Sequence, residues 1–231
     1  MISMLHRIID FIAPRKCAVC GCRLAIDERP LCSRCNVRMP RTGFAETPLD
    51  NEMARTFWAR IKVERCAALF FYQPHSAVSN MIYNIKYRNR PDMAREMGRM
   101  AAGEFMSSGF FEGIDIIVPV PLAKKRLRQR GYNQSEEIAC GVADVTGLRV
   151  SRNAVERVRN TESQTTKHRS QRNDNMQDAF LLRRADAVKG RHVLIIDDIV
   201  TTGSTICACG KELIKAGDVT ISILSLGFTK S

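Results

Sequence analysis

Two adjacent carboxylates, Asp197 and Asp198, stand directly before the hydroxyl-rich stretch Thr201-Thr202-Gly203-Ser204-Thr205. Four apolar residues, 193–196, precede the acids. They are too few for a helix and suit a strand buried on both faces of a parallel sheet. After the glycine a helical pattern begins, with Ile206, Leu213 and Ile214 on one side. A strand, a turn and a helix in that order place free backbone N–H groups and the positive end of a helix dipole at the turn. Such a terminus binds anions, and Thr and Ser hydroxyls complete the cradle. A phosphate monoester fits there, and a sugar diol attached to it would reach the two carboxylates. Simple helix capping explains one such residue but not the whole set. A P-loop is excluded, because G-x-x-x-x-G-K-[ST] occurs nowhere in the chain.

In order and residue type this stretch resembles the phosphoribosyl-diphosphate loop of the type I phosphoribosyltransferases. That resemblance implies that Asp197 and Asp198 hold the ribose hydroxyls and that Thr201, Thr202, Gly203, Ser204 and Thr205 hold the 5′-phosphate, with Mg²⁺ accompanying the ligand.

The elements that must position this loop are an α/β domain's strands and helices. The chain has 231 residues and 45% apolar residues, enough for one such domain and a small appendage. A formal net charge of +12 favours anionic partners without choosing between phosphorylated metabolites and nucleic acid. Residues 1–12 read as a short amphipathic helix, since Arg7 and Asp10 interrupt any signal-peptide core. No apolar run approaches the ~20 residues of a membrane span, so a cytoplasmic protein is expected.

Cys17, Cys20, Cys32 and Cys35 form two C-x2-C pairs separated by eleven residues, a spacing that suits four thiolates around a structural Zn²⁺. Cys22 either competes with Cys20 or sits outside the site, and Cys20 is preferred because its pair mirrors the second. Cys66, Cys140, Cys207 and Cys209 lack such partners and read as packing thiols. The expected organisation is therefore an N-terminal helix and zinc knuckle over 1–42, a linker over 43–60 rich in turn residues, and the main domain over 61–231. Within that domain, strands are expected at 66–72, 114–120 (the first of the sheet), 193–196 and 218–226. Helices are expected at 76–87 and from Pro91 onward, the latter with Met93, Met97, Met100, Ala101 and Phe105 as a core stripe.

Five of the seven residues 124–130 are basic. They follow a strand, and ligands of open parallel sheets lie beyond the strands' carboxyl ends. This loop and the Asp197 loop are therefore expected to meet in one crevice, with Lys125, Arg126 and Arg130 aimed at diphosphate oxygens.

Pro119-Val120-Pro121-Leu122, Arg126 and Arg130-Gly131-Tyr132-Asn133-Gln134 resemble the ComF family, phosphoribosyltransferase-like proteins linked to DNA uptake in natural competence. So do Arg159-Asn160-Thr161-Glu162-Ser163-Gln164, the four-cysteine knuckle and Ile85-Lys86-Tyr87. Residues 155–178 are polar, without an apolar stripe, and resemble the loop that closes over type I active sites, which would bring Gln164, Arg169, Arg172 or Asn175 over the diphosphate. His168 within it reads as a solvated residue. Two functions are implied: binding of phosphoribosyl diphosphate combined with handling of single-stranded DNA or uptake proteins, or an active transferase with a nucleobase or amine acceptor. Aromatics make up only 6% of the chain, which leaves Tyr83, Tyr87 and Tyr132 as candidate stacking platforms for bases.

Overall fold

Short apolar runs form the strands of an all-parallel sheet in the computed structural model, which describes residues 14–158 and 179–230. The strands are β1 (Cys66–Phe71), β2 (Ile116–Pro119), β3 (Arg149–Val150), β4 (Val155–Arg157), β5 (Phe180–Leu182), β6 (His192–Val200) and β7 (Thr220–Phe228). Five of them make one sheet in the order β1-β7-β6-β2-β3, every neighbouring pair parallel. β4 and β5 pair antiparallel in a separate ribbon. The 114–120 strand is thus the second in the chain, and β1 takes one edge of the sheet.

β6 sits at the centre because 193–196 are fully buried, as a strand covered on both faces requires. It runs beyond the expected 193–196, because its two neighbours end at different places. β2 stops at the Pro119 to Ile196 pairing, whereas β7 stays paired from Asp197 opposite Ser225 to Val200 opposite Phe228. β7 fails to alternate because it too is covered on both faces: Ile221, Ile223, Leu224 and Leu226 are all buried.

The helices are α1 (Ser33–Arg38), α2 (Glu52–Arg55), α3 (Ala77–Tyr87), α4 (Pro91–Phe105), α5 (Lys124–Arg130), α6 (Gln134–Thr146) and α7 (Ser204–Ile214). Ser76 caps α3 by accepting from the Ser79 amide, and Pro91 opens α4 at its first turn. Met93, Met97, Ala101 and Phe105 of α4 are buried, while Met100 is only half-buried. The expected linker 43–60 is instead part of the core. Phe44, Ala45, Met53, Ala54 and Phe57 are buried, and Phe44 meets Phe71 and Phe228 edge-on at 5.5 and 5.7 Å. Its apolar residues show no period because they enter the core from the single helical turn α2 and from turns on either side of it. Residues 155–157, expected to begin a polar loop, form β4 with Val155 and Arg157 buried. β4 and β5 bracket 159–178, which lie outside the described residues.

α4 and α6 cross on two glycines. A Cβ on Gly98 would come within 2.2 Å of the Ile138 carbonyl oxygen, and one on Gly141 within 2.0 Å of the Arg95 carbonyl oxygen. Backbone atoms on both sides leave nothing flexible to move, and Arg95 and Arg99 clamp Asp144 at 2.7 Å across the same crossing. Gly141→Ala should therefore separate the helices and cost about 1–3 kcal/mol. Chemical denaturation checks this, and an unchanged midpoint would contradict the close crossing.

Candidate functional site

The turn between β6 and α7 takes its shape from the segment beneath it. Gly203 has φ 68°, in the left-handed region that favours glycine. A Cβ there would also lie 2.7 Å from Cε1 of Phe57. Thr202 and Ser204 share a hydrogen bond between their hydroxyls at 3.0 Å. The guanidinium of Arg60 donates to the Thr202 carbonyl and, at 3.2 Å, to the Ser204 hydroxyl. Arg60, Phe57 and Thr56 come from the stretch expected to be a linker, so their role at the turn was hidden. Thr201 is exposed, and Thr202, Ser204 and Thr205 are half-buried around the first amides of α7. The first amides of α7, the hydroxyls and a guanidinium behind them make an anion cradle.

Asp197 and Asp198 lie beyond the end of β2, and strand alternation sends them to opposite faces. Asp198 is 9% exposed and pairs with Lys86, the last basic residue of α3, at 2.8 Å. Asp197 accepts from the Ser135 hydroxyl of α6 at 3.0 Å and from the Asp198 amide at 2.9 Å. Burial and then the neighbouring Asp198 charge push the Asp197 carboxyl up to about 7, and Lys86 opposes the shift. Arg157 of β4 feels the Asp197 charge; burial, then Arg126, lowers its own pKa. Of these partners, Ser135 and Arg157 carry no sequence signal, because their roles arise only when α6 and β4 meet β6.

α5 carries the basic run. Lys124, Lys125 and Arg128 are exposed, whereas Arg126 and Arg130 are half-buried. Lys124 pairs with Glu156 of β4 at 3.2 Å. Arg130 donates to Gln134 at 2.8 Å and stands 5.2 Å from the centre of the Tyr87 ring. Asn133 donates to the Val120 carbonyl at 3.1 Å, which ties the α5 to α6 junction to the end of β2. The expected loop residues Gln164, His168, Arg169, Arg172 and Asn175 lie outside the described residues.

At the other end of the chain, the sulfurs of Cys17, Cys20, Cys22 and Cys32 lie within 4.8 Å of one another. Cys20 and Cys32 are 3.7 Å apart. That matches the sulfur separation of about 3.8 Å expected for four thiolates at about 2.3 Å from one Zn²⁺. Cys22 thus joins the cluster, 3.2 Å from Cys20, rather than standing outside it. Cys35 borders the same thiols, since burial and contacts with Cys20, Cys32 and Cys17 raise its pKa. The donor set fits a soft metal ion.

The pattern of the phosphoribosyl transferase domain family matches residues 86–226. The DNA utilization protein YhgH of Escherichia coli strain K12 is 28% identical over 223 residues, 92% of this chain and 96% of that protein. Competence protein F of Haemophilus influenzae is 29% identical over 153 residues, 64% of this chain and 67% of that protein. Competence protein ComFC of Bacillus subtilis is 28% identical over 102 residues, 44% of this chain and 39% of that protein. Among solved structures, the adenine phosphoribosyltransferase of Saccharomyces cerevisiae aligns at a TM-score of 0.37 with 17% identity, over 61% of this chain and 72% of that one.

The Asp197 environment has a measurable consequence. Its folded pKa, about 7, exceeds the ordinary 3.8, so the folded state binds the extra proton between these values. Stability should therefore fall as pH rises from about 4 to about 7. Asp197→Asn keeps an acceptor for Ser135 and should remove that slope, making the variant more stable than the parent at pH 8 by on the order of 2 kcal/mol. Urea denaturation across the pH range checks this. Parallel profiles for parent and variant would contradict it.

Proposed function

Because the chain belongs to the phosphoribosyl transferase domain family, and within it to the ComF type, we propose that it binds phosphoribosyl diphosphate with Mg²⁺ and acts in the handling of incoming DNA. The observation that carries this reading is the β6 to α7 turn, with its left-handed Gly203 seated on Phe57 and two carboxylates just before it. The amides and hydroxyls of 201–205 would hold the 5′-phosphate, backed by Arg60. Asp197 and Asp198 would accept hydrogen bonds from the ribose hydroxyls. Lys125, Arg126 and Arg130 would take the diphosphate, joined by Gln164, Arg169 and Arg172 from outside the described residues. Mg²⁺ supplies positive charge to the diphosphate when bound, and the hard carboxylate oxygens of the acidic pair suit it. The DNA side of the reading rests on the relatives named for DNA utilization and competence, on the net charge of +12 and on exposed Lys124, Lys125 and Arg128.

A second reading, an active transferase with a nucleobase or amine acceptor, is favoured by the same intact acidic pair. Attack at the anomeric carbon passes through a cationic state that two carboxylates stabilise, while guanidinium and ammonium groups hold the leaving diphosphate. Acceptor-dependent release of diphosphate distinguishes it from binding alone. No helix among the described residues is long and apolar enough to cross a membrane. We place the protein in the cytoplasm, with the thiol cluster holding one structural Zn²⁺ that staples the N-terminal knuckle.

Phosphoribosyl diphosphate with Mg²⁺ should raise the melting temperature, because a ligand of the native state alone stabilises it by mass action. Asp197→Asn/Asp198→Asn should abolish the shift. No shift and no calorimetric heat at ligand concentrations of about 1 mM would sink the sugar-phosphate reading.

Zinc retention gives a separate prediction. Cys17, Cys20 and Cys32 belong to both possible ligand sets, so replacing any one by Ser should release most of the metal. Cys22→Ser and Cys35→Ser should each keep it, since the other thiol stands ready as the fourth ligand. The double variant should lose it. Elemental analysis showing full zinc in Cys32→Ser would refute the site.

A further inference from the structure

We infer that Tyr83 and Tyr87 of α3 form a stacking platform for unpaired bases of a single-stranded nucleic acid whose backbone follows the basic face of α5. The inference rests on the DNA-handling part of the proposed function and assigns it a place. Tyr83 and Tyr87 are 53% and 61% exposed, so both rings present apolar faces to solvent. One helical turn apart, their rings lie 4.8 Å from centre to centre at 42°. The Arg130 guanidinium, 5.2 Å from the Tyr87 ring centre, places the pair beside the basic helix α5. Base faces stack on aromatic rings without regard to sequence.

The platform is held rigidly. Between the two tyrosines in sequence, Ile85 is fully buried, and its carbonyl accepts from the Tyr132 hydroxyl. Lys86 anchors the same turn of α3 to Asp198 at 2.8 Å. Tyr132 is thereby removed from the candidate platforms: it is half-buried, and burial raises its phenol to about 12. Exposed Lys125 and Arg128 carry the positive charge of α5 toward solvent, where strand phosphates can reach it. The open, solvent-facing position of the rings favours a strand that passes across them over a free nucleotide, which needs enclosure for affinity.

The test separates stacking from charge. Fluorescence anisotropy is measured with a labelled oligothymidylate of about 20 nucleotides, longer than one binding site, and with an abasic oligomer of equal length and charge. Tyr83→Ala/Tyr87→Ala should weaken oligothymidylate binding on the order of tenfold and leave the abasic oligomer and the salt slope unchanged. Tyr83→Phe/Tyr87→Phe should restore the affinity, since the rings remain. The thermal shift given by phosphoribosyl diphosphate should be the same in all variants, which also shows that they fold. Equal losses on both oligomers, or no loss on oligothymidylate, would overturn the platform while leaving DNA handling intact. Full displacement of the oligomer by free thymidine monophosphate would assign the rings to a nucleotide instead. Failure of the parent protein to bind either oligomer at low salt would remove the DNA-handling reading itself, and the platform with it.

Discussion

Two carboxylates at the end of an apolar central strand must be kept in a largely dehydrated place, and much of the site's architecture answers that constraint. Asp198 is balanced by Lys86 from α3. Lys86 is half-buried and Asp198 nearly buried, so removing Lys86 would leave the Asp198 charge poorly compensated. Asp197 has no cation within hydrogen-bonding distance among the described residues. It relies on the Ser135 hydroxyl and the Asp198 amide, and its affinity for a proton rises accordingly. α3, α6 and β6 are therefore locked together by polar contacts as well as apolar ones. A ligand bringing hydroxyl donors and a divalent cation would satisfy both acids at once.

The β6 to α7 turn depends on a different part of the chain. Phe57 fills the space beneath Gly203, and Arg60 fixes the Thr202 carbonyl and the Ser204 hydroxyl. These residues precede β1, which occupies an edge of the sheet, yet they reach a turn that follows the central strand. The N-terminal segment is consequently a supporting wall of the site. On the proposed function, changes between residues 51 and 61 would alter phosphate affinity without touching the ligand directly.

The legible parts of the sequence were those with dense local signals. The acidic pair, the hydroxyl-rich turn, the methionine stripe of α4 and the cysteine spacing each show several residue types in a fixed order. The segment 43–60 was illegible because most of its core residues enter from irregular turns, so no period marks them. Ser135 and Arg157 gained meaning only through tertiary contacts with Asp197. Strand ends were misjudged for a related reason: β6 extends past Ile196 only because β7 continues beside it. Cys22 was set apart by the symmetry of the two C-x2-C pairs, whereas the fold brings its sulfur next to Cys20.

The central claim is that the β6 to α7 turn receives the 5′-phosphate of a ribose whose hydroxyls meet the acidic pair. A crystal structure of the protein soaked with phosphoribosyl diphosphate and Mg²⁺ tests it most directly. The account predicts a phosphate against the amides and hydroxyls of 202–205 and ribose oxygens within hydrogen-bond distance of Asp197 and Asp198. A ligand bound only among the exposed basic residues of α5, with the turn and the Lys86 to Asp198 pair unchanged, would contradict it.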